Sequence, residues 1–361
     1  MTVWGIPDSV ILKDGAAACR AGAVLDSGII RQVVEALLDP STPDDDRAYF
    51  LISLTDRGET AEELAAFAQA LLVHAEPLEF THEWNGRPIV DSCGTGGGGV
   101  NLVNVSTGIL FILAALGVPI VKHGNRGVTK KSGSADVLEA LGLRMDVGAD
   151  GVRRTMEEIG VAFIFAPRFH PAFKTIAPVR KKLAAEGRRT VFNLLGPLLN
   201  PARPRVHLLG VFQEAHLSLF AETLARLNRS EWGSLVVYGK DENGNPIGEV
   251  SPCGSTFLEP DNGSGKTEFQ LRQVPVDCRV SSLEGAYVSS AAESAQFIQM
   301  ALSGEAPKPV EALLLLNAAF VLMLTHIEMD GTAAVQRCED VLRSGAALEK
   351  LRQWRKLSVR L

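Results

Sequence analysis

Between Asp91 and Gly142 the chain reads DSCGTGGGGVNLVNVSTG and, after an apolar interval, KHGNRGVTKKSGSADVLEALG. This stretch limits the fold more than any other. Six small residues in a row, from Gly94 through Gly99, cannot fill a core. Glycine tolerates positive φ and lets backbone N–H groups come close to a ligand. Placed between an apolar strand-like run and a helix-like run, such a loop gathers N–H donors and a helix N-terminus around an anion. The second loop, Lys122-His123-Gly124-Asn125-Arg126, follows the short apolar run 118–121 and adds fixed positive charge. A flexible-linker reading fits poorly, because ordered patterns flank the glycines closely. Neither loop has the Gly-Lys-Ser/Thr ending of a Walker A motif or a clean GxGxxG with its acidic partner. The chemistry rests on the pair of loops, which together suit a polyphosphate.

The 361 residues give room for two domains of roughly 150 residues each. A hydrophobic share of 46% with 22% charged residues is ordinary for a globular enzyme. A net charge of −6 argues against general nucleic-acid binding while leaving a local basic pocket open. Cys19, Cys93, Cys253, Cys278 and Cys338 show no CxxC or metal-type spacing, as expected of reduced thiols in a cytoplasm. The opening MTVWGIPDSV lacks a signal-peptide pattern, and the apolar run 312–320 is too short to span a membrane. A cytoplasmic protein without a membrane segment is expected.

Residues 6–74 carry helical periodicity. Ser27 is expected to cap a helix bearing Ile29, Ile30, Val33, Val34 and Leu37 on one face. Pro43 followed by Asp44, Asp45 and Asp46 suits a first turn with proline at N1. Thr60-Ala61-Glu62-Glu63 suits a capping box. Beyond residue 88, β-branched runs at 89–90, 118–121, 161–165, 206–211 and 235–238 alternate with helix-length segments. That alternation predicts an α/β fold: a mainly parallel sheet flanked by helices, plus a small all-helical domain. The expected division is a helical domain over residues 1–85, with a contribution from about 180–200, and an α/β domain over 86–361. In such sheets ligands sit at the carboxyl ends of the strands, where both loops begin. Pro178-Val179-Arg180 opens a basic cluster, and a proline break there is expected to turn Arg180 towards the site. Residues 240–245 and 259–267 read as surface loops, and four helices are expected after residue 290.

Gly94-Thr95-Gly96-Gly97, Asn104 through Thr107, KHGNR, KSGSADVLE, His170-Pro171, Pro178-Val179-Arg180 and the run 192–201 occur in the order and spacing of one family. Over residues 12–324 the chain resembles the anthranilate phosphoribosyltransferases, which join anthranilate to phosphoribosyl pyrophosphate in tryptophan biosynthesis. The resemblance implies magnesium as cofactor, a homodimer formed through the helical domain, and small molecules as partners. For the phosphoribosyl donor it implies Gly94, Gly97, Gly98, Asn104, Ser106, Thr107, Lys122, Gly124, Asn125, Arg126, Lys130 and Ser134. For anthranilate it implies Gly94, Asn125 and Arg180, and for magnesium Ser106 and Glu249. His123 is the candidate for proton handling, with a structural or substrate-contacting role as the alternative. The chain departs from the pattern where Gly98 replaces an aspartate, Leu102 a small hydroxyl residue, and Gly248 the aspartate of an Asp-Glu pair. Those departures keep open a diverged member with another acceptor or no transferase activity, and a binding protein on the same fold.

Overall fold

The computed structural model describes residues 8–96, 100–127, 132–227 and 232–361. Four helices come first: α1 (Asp8–Arg20), α2 (Ser27–Leu38), α3 (Asp44–Arg57) and α4 (Ala61–Leu72). Their caps follow from local chemistry. Asp26, not Ser27, caps α2, because its carboxylate accepts from both Gly28 N and Ile29 N. Pro43 stands one position earlier than expected, at the N-cap of α3, with the three aspartates filling the first turn. At α4 the Thr60–Glu63 capping box forms as expected.

A two-stranded hairpin, β1 (Glu83–Trp84) and β2 (Arg87–Pro88), leads into the sheet. The chain then runs β3 (Val90–Gly94), α5 (Val105–Ala115), β4 (Ile120–Gly124), α6 (Ser134–Ala140), α7 (Ala149–Ile159) and β5 (Val161–Phe165). After α8 (Ala166–Phe169), α9 (Phe173–Ala185) and α10 (Phe192–Leu195) come β6 (Val206–Gly210), α11 (His216–Leu227) and β7 (Leu235–Gly239). The antiparallel strands β8 (Thr256–Pro260) and β9 (Thr267–Phe269) complete the sheet. Four helices close the chain: α12 (Ala291–Leu302), α13 (Lys308–Leu324), α14 (Gly331–Arg343) and α15 (Ala346–Ser358).

The sheet order is β5-β4-β3-β6-β7-β8-β9, with the first five strands parallel. Strand β3 is the switch point, since the chain first builds outward through β4 and β5 and then returns to place β6 on its other side. Ligand sites form at such a point. Alternation along each strand sends neighbours to opposite faces. Leu208 joins the core beneath α5 and α13, whereas Leu209 joins the core shared with α1 to α4, α9 and α11.

Two expectations need correction. Pro178 does not break its helix: α9 continues through it to Ala185, packed against α2 and α3, and tertiary packing overrides the local propensity. Residues 259–267 are not all loop, because Glu259 lies within β8, where it pairs with Val236 of β7, and Thr267 opens β9.

Candidate active site

A cavity of about 410 Å³ opens at the carboxyl ends of β3, β4 and β6. Those strands end in Gly94, Gly124 and Gly210, and at the last two the steric reason is direct. A Cβ on Gly124 would lie 2.2 Å from Ser134 Oγ and 2.8 Å from the Phe163 ring. One on Gly210 would lie 1.8 Å from the Gly248 carbonyl oxygen. Thr95 N donates to Gly210 O at 3.0 Å, and Gly96 adopts φ +70°, so the first loop leaves the sheet in a conformation that favours glycine.

Lys122 is buried on β4. Its ammonium donates to Ser92 O at 2.6 Å and to Ser106 Oγ at 3.0 Å, holding a positive charge against the start of α5. Behind it lies Asp91, wholly buried, whose Oδ2 accepts from Asn200 Nδ2 at 2.9 Å. Burial pushes the Asp91 carboxyl up to about 6, against the opposing pull of the Lys122 charge. Asn104 caps α5 and uses its side-chain oxygen to accept from Ser132 Oγ and Ser294 Oγ, at 3.1 and 2.9 Å. The bond from Ser132 ties the start of α5 to the second loop.

The opposite wall is aromatic. His123 meets His170 edge-on at 5.1 Å, His170 stacks on Phe173 at 5.1 Å, and Phe173 meets Phe192 edge-on at 5.7 Å. The Arg180 guanidinium lies 5.0 Å over the Phe192 ring. Nδ1 of His123 contacts Gly196 O at 3.3 Å, and Nε2 of His170 contacts Leu199 O at 2.9 Å, so both rings are hung from the segment after α10. Burial holds His123 down to about 3 and His170 to about 4, and both are neutral at physiological pH. Arg180 is partly buried and makes no ion pair among the described residues.

The cavity gathers Gly94, Asn104, Ser106, Lys122, His123, Gly124, Asn125, Arg126, Ser134, Arg180 and Glu249 of the expected set. Thr107 lies elsewhere: it is fully buried and does not line the cavity. Gly97, Gly98 and Lys130 lie outside the described residues. Arg126 lies at the cavity, but its guanidinium is engaged by Glu139 through both nitrogens at 2.5 Å and by Asp136 at 3.3 Å. Asp241 and Glu242 do not belong to the cavity lining. Asp241 accepts from Asn245 and Tyr287, and Glu242 from Ser282 and Leu283. The wall residues Phe173, Phe192 and Phe212 were not singled out from the sequence. Phe212, two residues past the end of β6, was within reach of the carboxyl-end rule.

Among the described charged residues lining the cavity, Lys122, Arg126 and Arg180 face a single carboxylate, Glu249. Such a site favours anions. Ser106 and Glu249 offer hard oxygen donors, the type that suits magnesium. No group of three or more His, Cys, Asp or Glu side chains among the described residues could cage a metal. A magnesium ion here fits only as one shared with substrate oxygens, which is its usual habit.

Residues 86–348 match the family model described as the glycosyl transferase family, a/b domain, and residues 16–75 the helical bundle domain of the same family. Anthranilate phosphoribosyltransferase of Saccharophagus degradans is 36% identical over 345 residues, spanning 95% of this chain and 97% of that one. The enzyme of that name from Aeropyrum pernix is 36% identical over 332 residues, spanning 91% and 92%. The crystal structure of anthranilate phosphoribosyltransferase from Thermus thermophilus superposes with a TM-score of 0.85 at 34% identity, covering 96% of this chain and 99% of that one. The Saccharomyces cerevisiae enzyme in complex with PRPP and Mg superposes equally well, at 0.85, but at 24% identity that likeness is one of fold. With matching helical and α/β models, full-length relatives above 30% identity and a shared architecture, the chain belongs to the anthranilate phosphoribosyltransferase family.

Proposed function

We propose that the chain transfers the phosphoribosyl group of phosphoribosyl pyrophosphate to the amine of anthranilate, with release of pyrophosphate, a step of tryptophan biosynthesis. The observation that carries this reading is Arg180. A partly buried guanidinium over an aromatic ring, in the cavity that also holds the Lys122 ammonium, calls for a planar carboxylate. Anthranilate offers that carboxylate on a flat ring, beside the amine that reacts.

In this reading the donor lies between the two glycine loops. Gly94, Gly97, Gly98, Asn104, Ser106, Thr107, Lys122, Gly124, Asn125, Lys130 and Ser134 are its proposed neighbours, and Arg126 serves it from a distance. Thr107 acts through the α5 backbone, because its own side chain is buried. Anthranilate lies against Gly94, Asn125 and Arg180. Ser106 and Glu249 would hold magnesium, which would supply charge neutralisation at the leaving pyrophosphate.

The amine nitrogen forms a bond to C1 of the ribose as the bond from C1 to the pyrophosphate oxygen breaks, and the amine then loses a proton. An aromatic amine is uncharged at neutral pH, so no strong base is demanded. A histidine held near 3 does not retain a proton at pH 7, which supports His123 as an orienting neighbour of the amine rather than a base. The protein's main contribution is alignment, worth roughly 7–11 kcal/mol in well-oriented reactions. Lys122 adds electrostatic stabilisation of the leaving group.

A cytoplasmic homodimer is part of the same proposal. All five cysteines are buried and unpaired, in keeping with a reducing compartment. Val10, Val24 and Tyr49 expose apolar surface on the helical part, to which we assign residues 1–85 with help from about 180–200. Loss of anthranilate fluorescence on mixing with phosphoribosyl pyrophosphate and magnesium tests the activity; an unchanged signal at high enzyme concentration refutes it.

A further inference from the structure

We propose that Asp136 is a positioning residue for the phosphoribosyl donor: its carboxylate ties the backbone of Gly127 to that of Gly133 and so fixes the cavity wall formed by Ser132 and Ser134. Asp136 stands in the first turn of α6, and it does not line the cavity itself. Its Oδ2 accepts from Gly127 N at 2.8 Å and from Gly133 N at 3.0 Å. Its Oδ1 accepts from Arg126 Nη1 at 3.3 Å.

The two backbone stretches are pressed together at a distance only glycine permits. A Cβ on Gly133 would lie 2.2 Å from Gly127 N and 2.5 Å from the Arg126 carbonyl carbon. Two N–H dipoles aimed at one point repel each other unless an acceptor stands there, and an ionised carboxylate is the strongest acceptor a side chain offers. The carboxylate therefore makes the close crossing favourable, and through it sets where Ser132 and Ser134 stand.

Arg126 completes the clasp. Its two outer nitrogens are given to Glu139, and its guanidinium lies 5.6 Å over the Phe165 ring. In this arrangement Arg126 is a brace between β4 and α6 rather than a phosphate ligand.

The inference rests on the donor occupying the half of the cavity bounded by Lys122. It is tested by calorimetric titration of the full chain with phosphoribosyl pyrophosphate in magnesium, alongside steady-state assays of both substrates. Asp136→Ala is expected to raise the donor Kd by about tenfold or more while the anthranilate KM stays within about twofold. Asp136→Asn, whose single carbonyl oxygen accepts from both amides, is expected to stay within about threefold of the parent. A role confined to capping α6 would lower Tm and leave the donor Kd unchanged, and that result overturns the proposal. Equal losses for both substrates overturn it as well.

Should the alanine variant not fold, Arg126→Gln and Glu139→Gln decide. As two halves of one brace, each is expected to weaken the donor by the same factor, about threefold, with no further loss when combined. A loss about tenfold greater for Arg126→Gln than for Glu139→Gln makes Arg126 a direct phosphate ligand and removes the brace. A parent chain that binds the donor yet leaves anthranilate untouched sinks the transferase reading alone, since donor affinity still reports on Asp136.

Discussion

The two halves of the cavity are held by different physics. The half at β3 and β4 is a hydrogen-bonded lattice: Lys122 on Ser92 and Ser106, Asn104 on Ser132 and Ser294, Asp136 on Gly127 and Gly133. Its donors and charges are fixed by partners within the protein. The half at α9 is a run of rings, His123, His170, Phe173 and Phe192, ending in Arg180. There the histidines are neutral, and the one cation makes no ion pair among the described residues. A flexible, highly charged pyrophosphate needs many preset contacts, whereas a flat aromatic acid needs a slot and one fixed charge. The polar half therefore tolerates small losses at single contacts, and the aromatic half concentrates its recognition in one residue.

Acid should break this contrast most severely. Burial holds His123 to about 3 and His170 and His207 to about 4, from an ordinary value of 6.5. Because these folded values are depressed, the unfolded chain takes up protons that the folded chain refuses. The stability conferred by the neutral rings is present above 6.5 and is lost as pH falls from there towards 4. Asp91 works in the opposite sense: its value is raised from 3.8 to about 6, so the folded chain gains its proton first and the loss is partly offset. The net loss between pH 7 and pH 4.5 is on the order of 5 kcal/mol. Denaturant midpoints across that range measure it, and a flat profile would mean that the rings are not buried and neutral.

Arg180→Ala comes next in size. A charge-assisted bond to a carboxylate contributes about 1.5–3 kcal/mol, so the anthranilate KM should rise by about ten- to a hundredfold. The donor KM should stay near its parent value, because the proposed pyrophosphate contacts lie on the other wall. Equal losses for both substrates would show that the two halves are not separate.

Much of the polar half was legible in the sequence, because it is local. Glycines at strand ends, a lysine two residues into β4 and a serine opening α6 all follow from short spacings. The aromatic half was legible at His123 and Arg180, and at Arg180 for the wrong local reason: α9 is unbroken at Pro178, and helical phase with tertiary packing brings the arginine to the cavity. Phe173, Phe192 and the Gly196 and Leu199 carbonyls come together only once α9 and the segment after α10 fold back across β4. No spacing rule encodes a wall built from such distant pieces. The α2 cap shows a similar limit at short range, since Asp26 and Ser27 are both good caps and only geometry chooses between them.

The smallest predicted effect concerns Gly248, where the family pattern has an aspartate. This residue adopts φ +70°, and a Cβ on it would lie 2.7 Å from Phe212 Cζ. Its carbonyl oxygen also presses on Gly210 at the end of β6. The missing carboxylate is therefore matched by a backbone turn and a packed ring, and the aromatic character of the cavity reaches into its metal side. Restoring the family residue with Gly248→Asp should destabilise the fold by about 1–3 kcal/mol through strain and overpacking. It should not create a second magnesium site, because Phe212 stands where the new side chain would begin. Magnesium titrations of the parent and the variant should both follow a single phase, with Glu249 as the one carboxylate among the described residues lining the cavity. A second phase in the variant would show that Phe212 yields readily; a second phase in the parent would show that one carboxylate suffices for both ions, and either result would return the metal side of the cavity to the polar half.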